Sequence, residues 1–141
     1  MADVFSPQKR SEFMRQVKTS GTKPEGLVRK YLFQQGFRYR KNVATLPGKP
    51  DMVLKKYSTV VFVNGCFWHA HENCKYFIVP KTRTEWWLKK LQGNAQRDER
   101  NKRLLENMGW HVYVVWECEL KQHFEDTMQE LVLVLRKNEE L

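Results

Sequence analysis

Cys66, His69, His71 and Cys74 fall within nine consecutive positions, interleaved with Phe67 and Trp68, and a third cysteine, Cys118, stands far downstream. Thiolates and imidazoles are the ligands of a closed tetrahedral zinc site, and Cys66, His71, Cys74 and Cys118 supply three sulfurs and one ring nitrogen. The spacing is Cys-x4-His-x2-Cys, closed by Cys118 after a later strand. The competing reading is three unligated cysteines, but two of them flank a histidine in one short loop. This scheme leaves His69 without a metal role and available as a base. Phe67 and Trp68 either pad the metal loop or face a ligand.

Two carboxylates complete the chemistry-bearing set. Asp51 follows Pro50 at the start of an apolar run, where it is either a turn residue or a hard oxygen ligand of the kind Mg²⁺ takes. Glu25 sits three residues after Thr22, the spacing of a capping box, so its simplest role is a helix cap.

The elements that must position these groups follow from periodicity. Ser6 to Lys18 reads as a basic amphipathic helix carrying Phe13, Met14 and Val17 with Lys9, Arg10, Arg15 and Lys18 around them. A second helix runs from Thr22 to Gly36 through Leu27, Val28, Tyr31 and Leu32. Gly36 to Val43 alternates as a short strand with Phe37 and Tyr39 on one face. Asp51 to Leu54 and Val60 to Val63 are expected as adjacent strands, the second stopped by Asn64-Gly65. That arrangement brings Asp51 to the strand end from which the Cys/His loop departs.

Beyond the loop, Thr82 with Glu85 predicts a capping box ahead of Trp86, Trp87, Leu88 and Leu91, and Gly93-Asn94 predicts the start of a separate helix. Leu104, Leu105 and Met108 are expected as its core stripe, ended by Gly109. Trp110 to Trp116 reads as a strand and Leu120 to Leu135 as one closing helix with Phe124, Met128, Leu131, Val132 and Leu135 inward. Arg136 to Leu141 is expected to fray.

A chain of 141 residues is expected to form one domain. Lys and Arg outnumber Asp and Glu by 25 to 16, which favours a polyanionic partner such as nucleic acid. Thirteen per cent aromatic content argues against disorder. No apolar run reaches the roughly 20 residues of a membrane span. Three cysteines cannot all pair within one chain and no signal peptide is evident at Met1 to Val4, which points to a reducing cytoplasm.

Taken with their neighbours, these residues match a known pattern: Arg10-Ser11 with Met14-Arg15, Glu25, Leu46 to Asp51 (LPGKPD), Gly65 to His69 (GCFWH), Val79 to Glu85 (VPKTRTE) with Trp87, Asn94 and Asp98, and Val115 to Cys118 (VWEC). The sequence resembles the very-short-patch repair (Vsr) DNA mismatch endonucleases over nearly its full length. The resemblance implies a single-domain α/β, restriction-endonuclease-like (PD-(D/E)XK-type) fold, a central mixed sheet flanked by helices and stapled by one structural zinc. It implies Mg²⁺-dependent nicking, with two ions, of double-stranded DNA 5′ to a thymine mispaired with guanine. The protein would act as a monomer, with other repair proteins as further partners.

Residue by residue, the resemblance implies that Asp51 and the carbonyl of Val63 hold Mg²⁺ and that His69 is the base, with Glu25 and Asp98 as supporting acids. Cys66, His71, Cys74 and Cys118 hold zinc. Met14, Phe67 and Trp68 are implied as wedges beside the mispair with Trp87 nearby, and Arg15, Lys49 and Asn94 as further DNA contacts. Two positions depart from the pattern: Asn64 stands where some relatives carry histidine, and Asn73 lengthens the gap between His71 and Cys74. The rivals are a non-catalytic zinc DNA-binding module, which leaves Asp51, His69 and Glu25 without a joint purpose, and a restriction-type nuclease without mismatch selectivity, which leaves the wedge aromatics superfluous.

Overall fold

The computed structural model describes residues 23–139. The basic helix expected at Ser6 to Lys18, with Met14 and Arg15, and the capping Thr22 lie outside the described residues. The first described helix, α1 (Lys23–Gln34), has Pro24 and Glu25 in its first turn and buries Val28 and Leu32. It ends where Gly36 takes φ +93°, a left-handed conformation that costs glycine little, and Phe37 N–H returns to the Leu32 carbonyl.

Strand β1 (Arg40–Lys41) pairs antiparallel with β2 (Met52–Leu54), and β2 pairs antiparallel with β3 (Thr59–Asn64) across a 3₁₀ turn, Lys55–Tyr57. Strand β3 pairs in parallel with β4 (His111–Trp116), in register from Thr59↔His111 to Asn64↔Trp116. The sheet is therefore mixed, in the order β1-β2-β3-β4. A parallel pair needs a crossover, supplied here by the Cys/His loop and helix α2 (Thr84–Asn107). The short helix α3 (Glu117–Gln122) and α4 (Phe124–Lys137) complete the chain.

Alternate residues of the central strands face opposite ways, so each side of the sheet receives its own core. Met52, Leu54, Val61 and Val115 pack with Val28 and Leu32 of α1 and with Met128, Leu131 and Leu135 of α4. On the other side Val53 and Val60 pack with Leu105 of α2. Helices thus cover both faces of the sheet. Among the described residues, no helix is long and apolar enough to cross a membrane.

Six expectations need correction. The strand expected from Gly36 to Val43 shrinks to Arg40–Lys41, although Phe37 and Tyr39 do share the α1/α4 side of the core. The chain leaves the ladder at Asn42, which has φ +49°. The two helices expected around Gly93-Asn94 are one helix of 24 residues. A lone glycine costs a helix about 1 kcal/mol, and Leu91 and Leu105, both fully buried, anchor the helix on either side of it. They are about four turns apart and define one stripe. Leu104 and Met108 are rotated off that stripe and are exposed, at 45% and 56%.

The Thr82/Glu85 capping box does not form. Helix α2 starts at Thr84 after Arg83 in a left-handed conformation, and the Thr84 hydroxyl donates to the Pro80 and Lys81 carbonyls. The single closing helix is broken at His123 (φ −140°, ψ 52°). Nor does the tail fray at Arg136: α4 continues to Lys137, Asn138 donates to Thr59 Oγ1 at 3.3 Å, and Glu139 meets Lys56 Nζ at 3.1 Å.

Candidate active site and metal centre

Strand β2 begins one residue after Asp51, beside the carboxyl end of β3, and Val63 N–H donates to Asp51 Oδ2 at 2.6 Å. In antiparallel pairing the N–H and C=O of one residue point to the same neighbouring strand, so the Val63 carbonyl is directed to the β2 side, where the Asp51 carboxyl lies. Continuing the β2–β3 register from Met52↔Val61 would set Pro50 opposite Val63. Proline has no N–H to offer that carbonyl.

The Asp51 carboxyl is pushed up to about 7, mainly by burial. Glu25 beside it raises it further, while the Val63 N–H and the charge of Arg29 pull the other way. Arg29 lies one helical turn after Glu25, buried, with Nη1 3.5 Å from Glu25 Oε2. Glu25 therefore faces Arg29 and Asp51, beyond the capping role its spacing suggests. A partly buried carboxyl pair beside a single guanidinium keeps an excess of negative charge when both ionise, and a divalent cation with oxygen ligands would offset it.

His69 sits in the turn that follows β3, its N–H bonded to the Gly65 carbonyl. Its Nδ1 lies 2.5 Å from Oδ2 of Asp98, which comes from the middle of α2. A carboxylate only accepts, so Nδ1 carries the hydrogen and Nε2 is left as the basic nitrogen. Both residues line a cleft of about 510 Å³ together with Asn64, Asn101, Lys102 and Trp116. Asn64, at the position where some relatives are expected to carry an imidazole, thus shares the cleft with His69. Asp51 and Glu25 do not line this cleft.

The four expected soft ligands converge. One donor atom each from Cys66, His71, Cys74 and Cys118 lie within 4.8 Å of one another, close enough for a metal such as zinc with bonds of about 2.0 to 2.3 Å. Burial pushes the Cys118 thiol up to about 12, with Cys66 and Cys74 adding to it. Three thiols so close cannot all ionise without a cation among them, which fits the donor set to a metal. His71 stacks on Trp116, with ring centroids 3.9 Å apart and planes 4° apart, and this contact fixes the ring. Asn73 has φ +57°. Asparagine tolerates that conformation well, so the extra residue between His71 and Cys74 is absorbed without displacing a ligand.

Phe67 and Trp68 lie in a turn rather than an extended segment, so their rings sit together instead of on opposite sides. They are 5.1 Å apart, and Trp87 stands 5.5 Å from Phe67 and 6.0 Å from Trp68. Trp68 remains 51% exposed. Asn94 Nδ2 donates to the Trp68 carbonyl at 3.0 Å, so this residue braces the aromatic turn. Lys49 is exposed on a loop whose Gly48 packs so closely that a Cβ there would meet Asn101 and Phe62 at 3.1 to 3.2 Å. Arg29 and Trp116 do not stand out from the sequence as site residues. A basic residue one turn after Glu25 is the signal available for Arg29.

Residues 2–75 match the family model described as DNA mismatch endonuclease Vsr. A type II nicking enzyme of Neisseria meningitidis is 54% identical over 121 residues, 86% of this chain and 86% of the relative. The DNA mismatch endonuclease Vsr of Escherichia coli is 46% identical over 121 residues, 86% of this chain and 77% of the relative. A type II nicking enzyme of Xanthomonas oryzae is 43% identical over 120 residues, 85% and 88% respectively.

Proposed function

The chain belongs to the Vsr family of DNA mismatch endonucleases and is an endonuclease, and from that premise we propose that it nicks double-stranded DNA 5′ to a thymine mispaired with guanine. The observation that carries this reading is the placement of two kinds of chemistry at one end of β3. The Asp51–Glu25 pair stands against the strand's last residues, and His69, on the turn that follows them, is paired with Asp98 from α2. The PD-(D/E)XK-type assignment is supported by the mixed sheet with Asp51 at a strand mouth.

Asp51 and the Val63 carbonyl would hold Mg²⁺, with Glu25 in support. Bound there, the metal supplies neutralisation of phosphate charge and assistance to the attacking water. His69 Nε2 takes the proton of the attacking water, and Asp98 holds the ring in the tautomer that leaves this nitrogen free. Cys66, His71, Cys74 and Cys118 would hold zinc, which would tie the loop to the start of α3. Phe67 and Trp68 enter the duplex beside the mispair, with Met14 from the other side. A wobble pair opens at lower cost than a matched one, and unstacking a step costs on the order of a few kcal/mol. The protein acts as a monomer in the cytoplasm, where a reducing environment keeps the thiols free for the metal.

The test is incubation of protein and Mg²⁺ with oligonucleotides that are T·G-mismatched, matched or single-stranded. Nicking confined to the mismatched duplex is expected. Equal cutting of matched duplex would leave the endonuclease but refute the mismatch selectivity, and binding without cleavage would refute the catalytic reading.

A further inference from the structure

Arg29 is only 6% exposed, on the inner side of α1, and its guanidinium reaches Glu25 Oε2 at 3.5 Å. Its charge also acts on Asp51, against the charge of Glu25. Its own carbonyl accepts the Tyr39 hydroxyl at 3.2 Å, which ties this turn of the helix to the chain leading into β1. A guanidinium taken out of water needs carboxylate partners, and two carboxylates close together need a cation between them. Glu25, Asp51 and Arg29 answer both needs at once in the metal-free protein.

A divalent cation arriving at Asp51 meets the same two carboxylates, but it also meets a fixed positive charge already serving them. We infer that Arg29 is a positioning residue, the resident counter-ion of the metal centre, which keeps Glu25 and Asp51 assembled without metal and holds the site's Mg²⁺ affinity low by charge competition. The inference rests on the metal reading of Asp51. Its functional consequence is that stable Mg²⁺ occupancy waits for the added negative charge of a DNA phosphate at the site, since coupling between two ligands is reciprocal. Metal loading is thereby reserved for the substrate complex.

The experiment is calorimetric titration of zinc-loaded protein with Mg²⁺, with and without DNA, together with melting temperatures in chelator-free buffer without Mg²⁺ and in saturating Mg²⁺. Arg29→Met keeps the length and removes the charge. Two like charges near one carboxylate at an effective dielectric of about 20 repel strongly enough that DNA-free Mg²⁺ binding should tighten about tenfold or more in this variant. Mg²⁺ should also raise its melting temperature more than that of the wild type. Arg29→Lys retains the charge and should stay close to the wild-type affinity. Arg29→Gln repeats the charge removal with a polar side chain.

An Arg29→Met protein that folds only with Mg²⁺ present supports the counter-ion role, because the metal then replaces the missing charge. Neutral variants that fold but bind Mg²⁺ with unchanged or weaker affinity overturn the inference alone. Failure of both neutral variants to fold even in Mg²⁺ makes Arg29 a structural brace and also overturns it. Absence of Mg²⁺ binding by the wild type with or without DNA overturns the metal reading together with it.

Discussion

Replacing Asp51 by asparagine is expected to stabilise the Mg²⁺-free protein while abolishing nicking, by an amount that grows with pH. Burial is the leading reason that the carboxyl of Asp51 is raised from 3.8 to about 7. A group that holds its proton more tightly when folded stabilises the fold only while protonated. Stability from this group is therefore fully present below the unfolded value and falls as pH rises towards about 7, then stays flat. A tenfold change in proton affinity is worth about 1.4 kcal/mol, so the ceiling is about 4 kcal/mol; solvent at the partly exposed edge reduces it to about 2 kcal/mol. Asparagine keeps an oxygen that can accept from Val63 N–H and has nothing to ionise. The assay is denaturant unfolding of zinc-loaded wild type and Asp51→Asn in EDTA-free, Mg²⁺-free buffer between about pH 5 and 8, reading the difference so that zinc-linked effects cancel. The variant's advantage should widen towards neutral pH, and Mg²⁺ should stabilise the wild type alone. Parallel curves with a constant gap would refute both the burial argument and the idea that this carboxylate is held at a cost in order to bind metal.

Cys118→Ser should lose the metal, measured by elemental analysis, and should be severely destabilised, because structural zinc sites contribute roughly 10 to 16 kcal/mol in small model domains. His69→Ala should lower the nicking rate by about 10²- to 10⁴-fold with mismatch binding retained, and Asp98→Asn should fall in the same direction by less; unchanged turnover in His69→Ala would place the base elsewhere. Trp68→Ala should keep its zinc content and melting temperature, as expected for a half-exposed ring, but lose preference for T·G over matched duplex in competitive nicking. Gly93→Ala should raise stability by roughly 0.5 to 1 kcal/mol in thermal unfolding, since nothing lies within 4 Å of a Cβ at that position.

What is legible in the sequence is local. Cys66, His71 and Cys74 declare a ligand set by spacing alone, and the apolar runs at Met52 to Leu54 and Val60 to Val63 can scarcely be anything but buried strands. Cys118 joins the set only because it follows a strand. The helix boundaries escape sequence reasoning where tertiary anchoring overrides local signals: Leu91 and Leu105 carry α2 through Gly93, and no proline or glycine marks the break at His123. The charge grouping of Glu25, Arg29 and Asp51 is hidden because it joins a helix to a distant strand mouth. A capping-box spacing offers a sufficient local explanation for Glu25. The paired placement of Phe67 and Trp68 is equally hidden, because alternation holds for extended chain and fails in a turn.

The parallel register of β3 and β4 has a consequence for the order of folding. Cys66 lies two residues beyond Asn64 and Cys118 two residues beyond Trp116, and Asn64 and Trp116 are partners. A slip of one residue between these strands would move Cys118 by about 3.3 Å and turn it to the other side of the sheet, away from the other three ligands. Cys66, His71 and Cys74 are close enough in the chain to capture zinc before β4 arrives, which leaves one coordination position to be filled only by a correctly aligned partner. An ion held there would favour the correct strand alignment, because only the native register completes its ligand set. Refolding with zinc present from the outset is expected to give a higher yield of native protein than adding the same zinc after collapse.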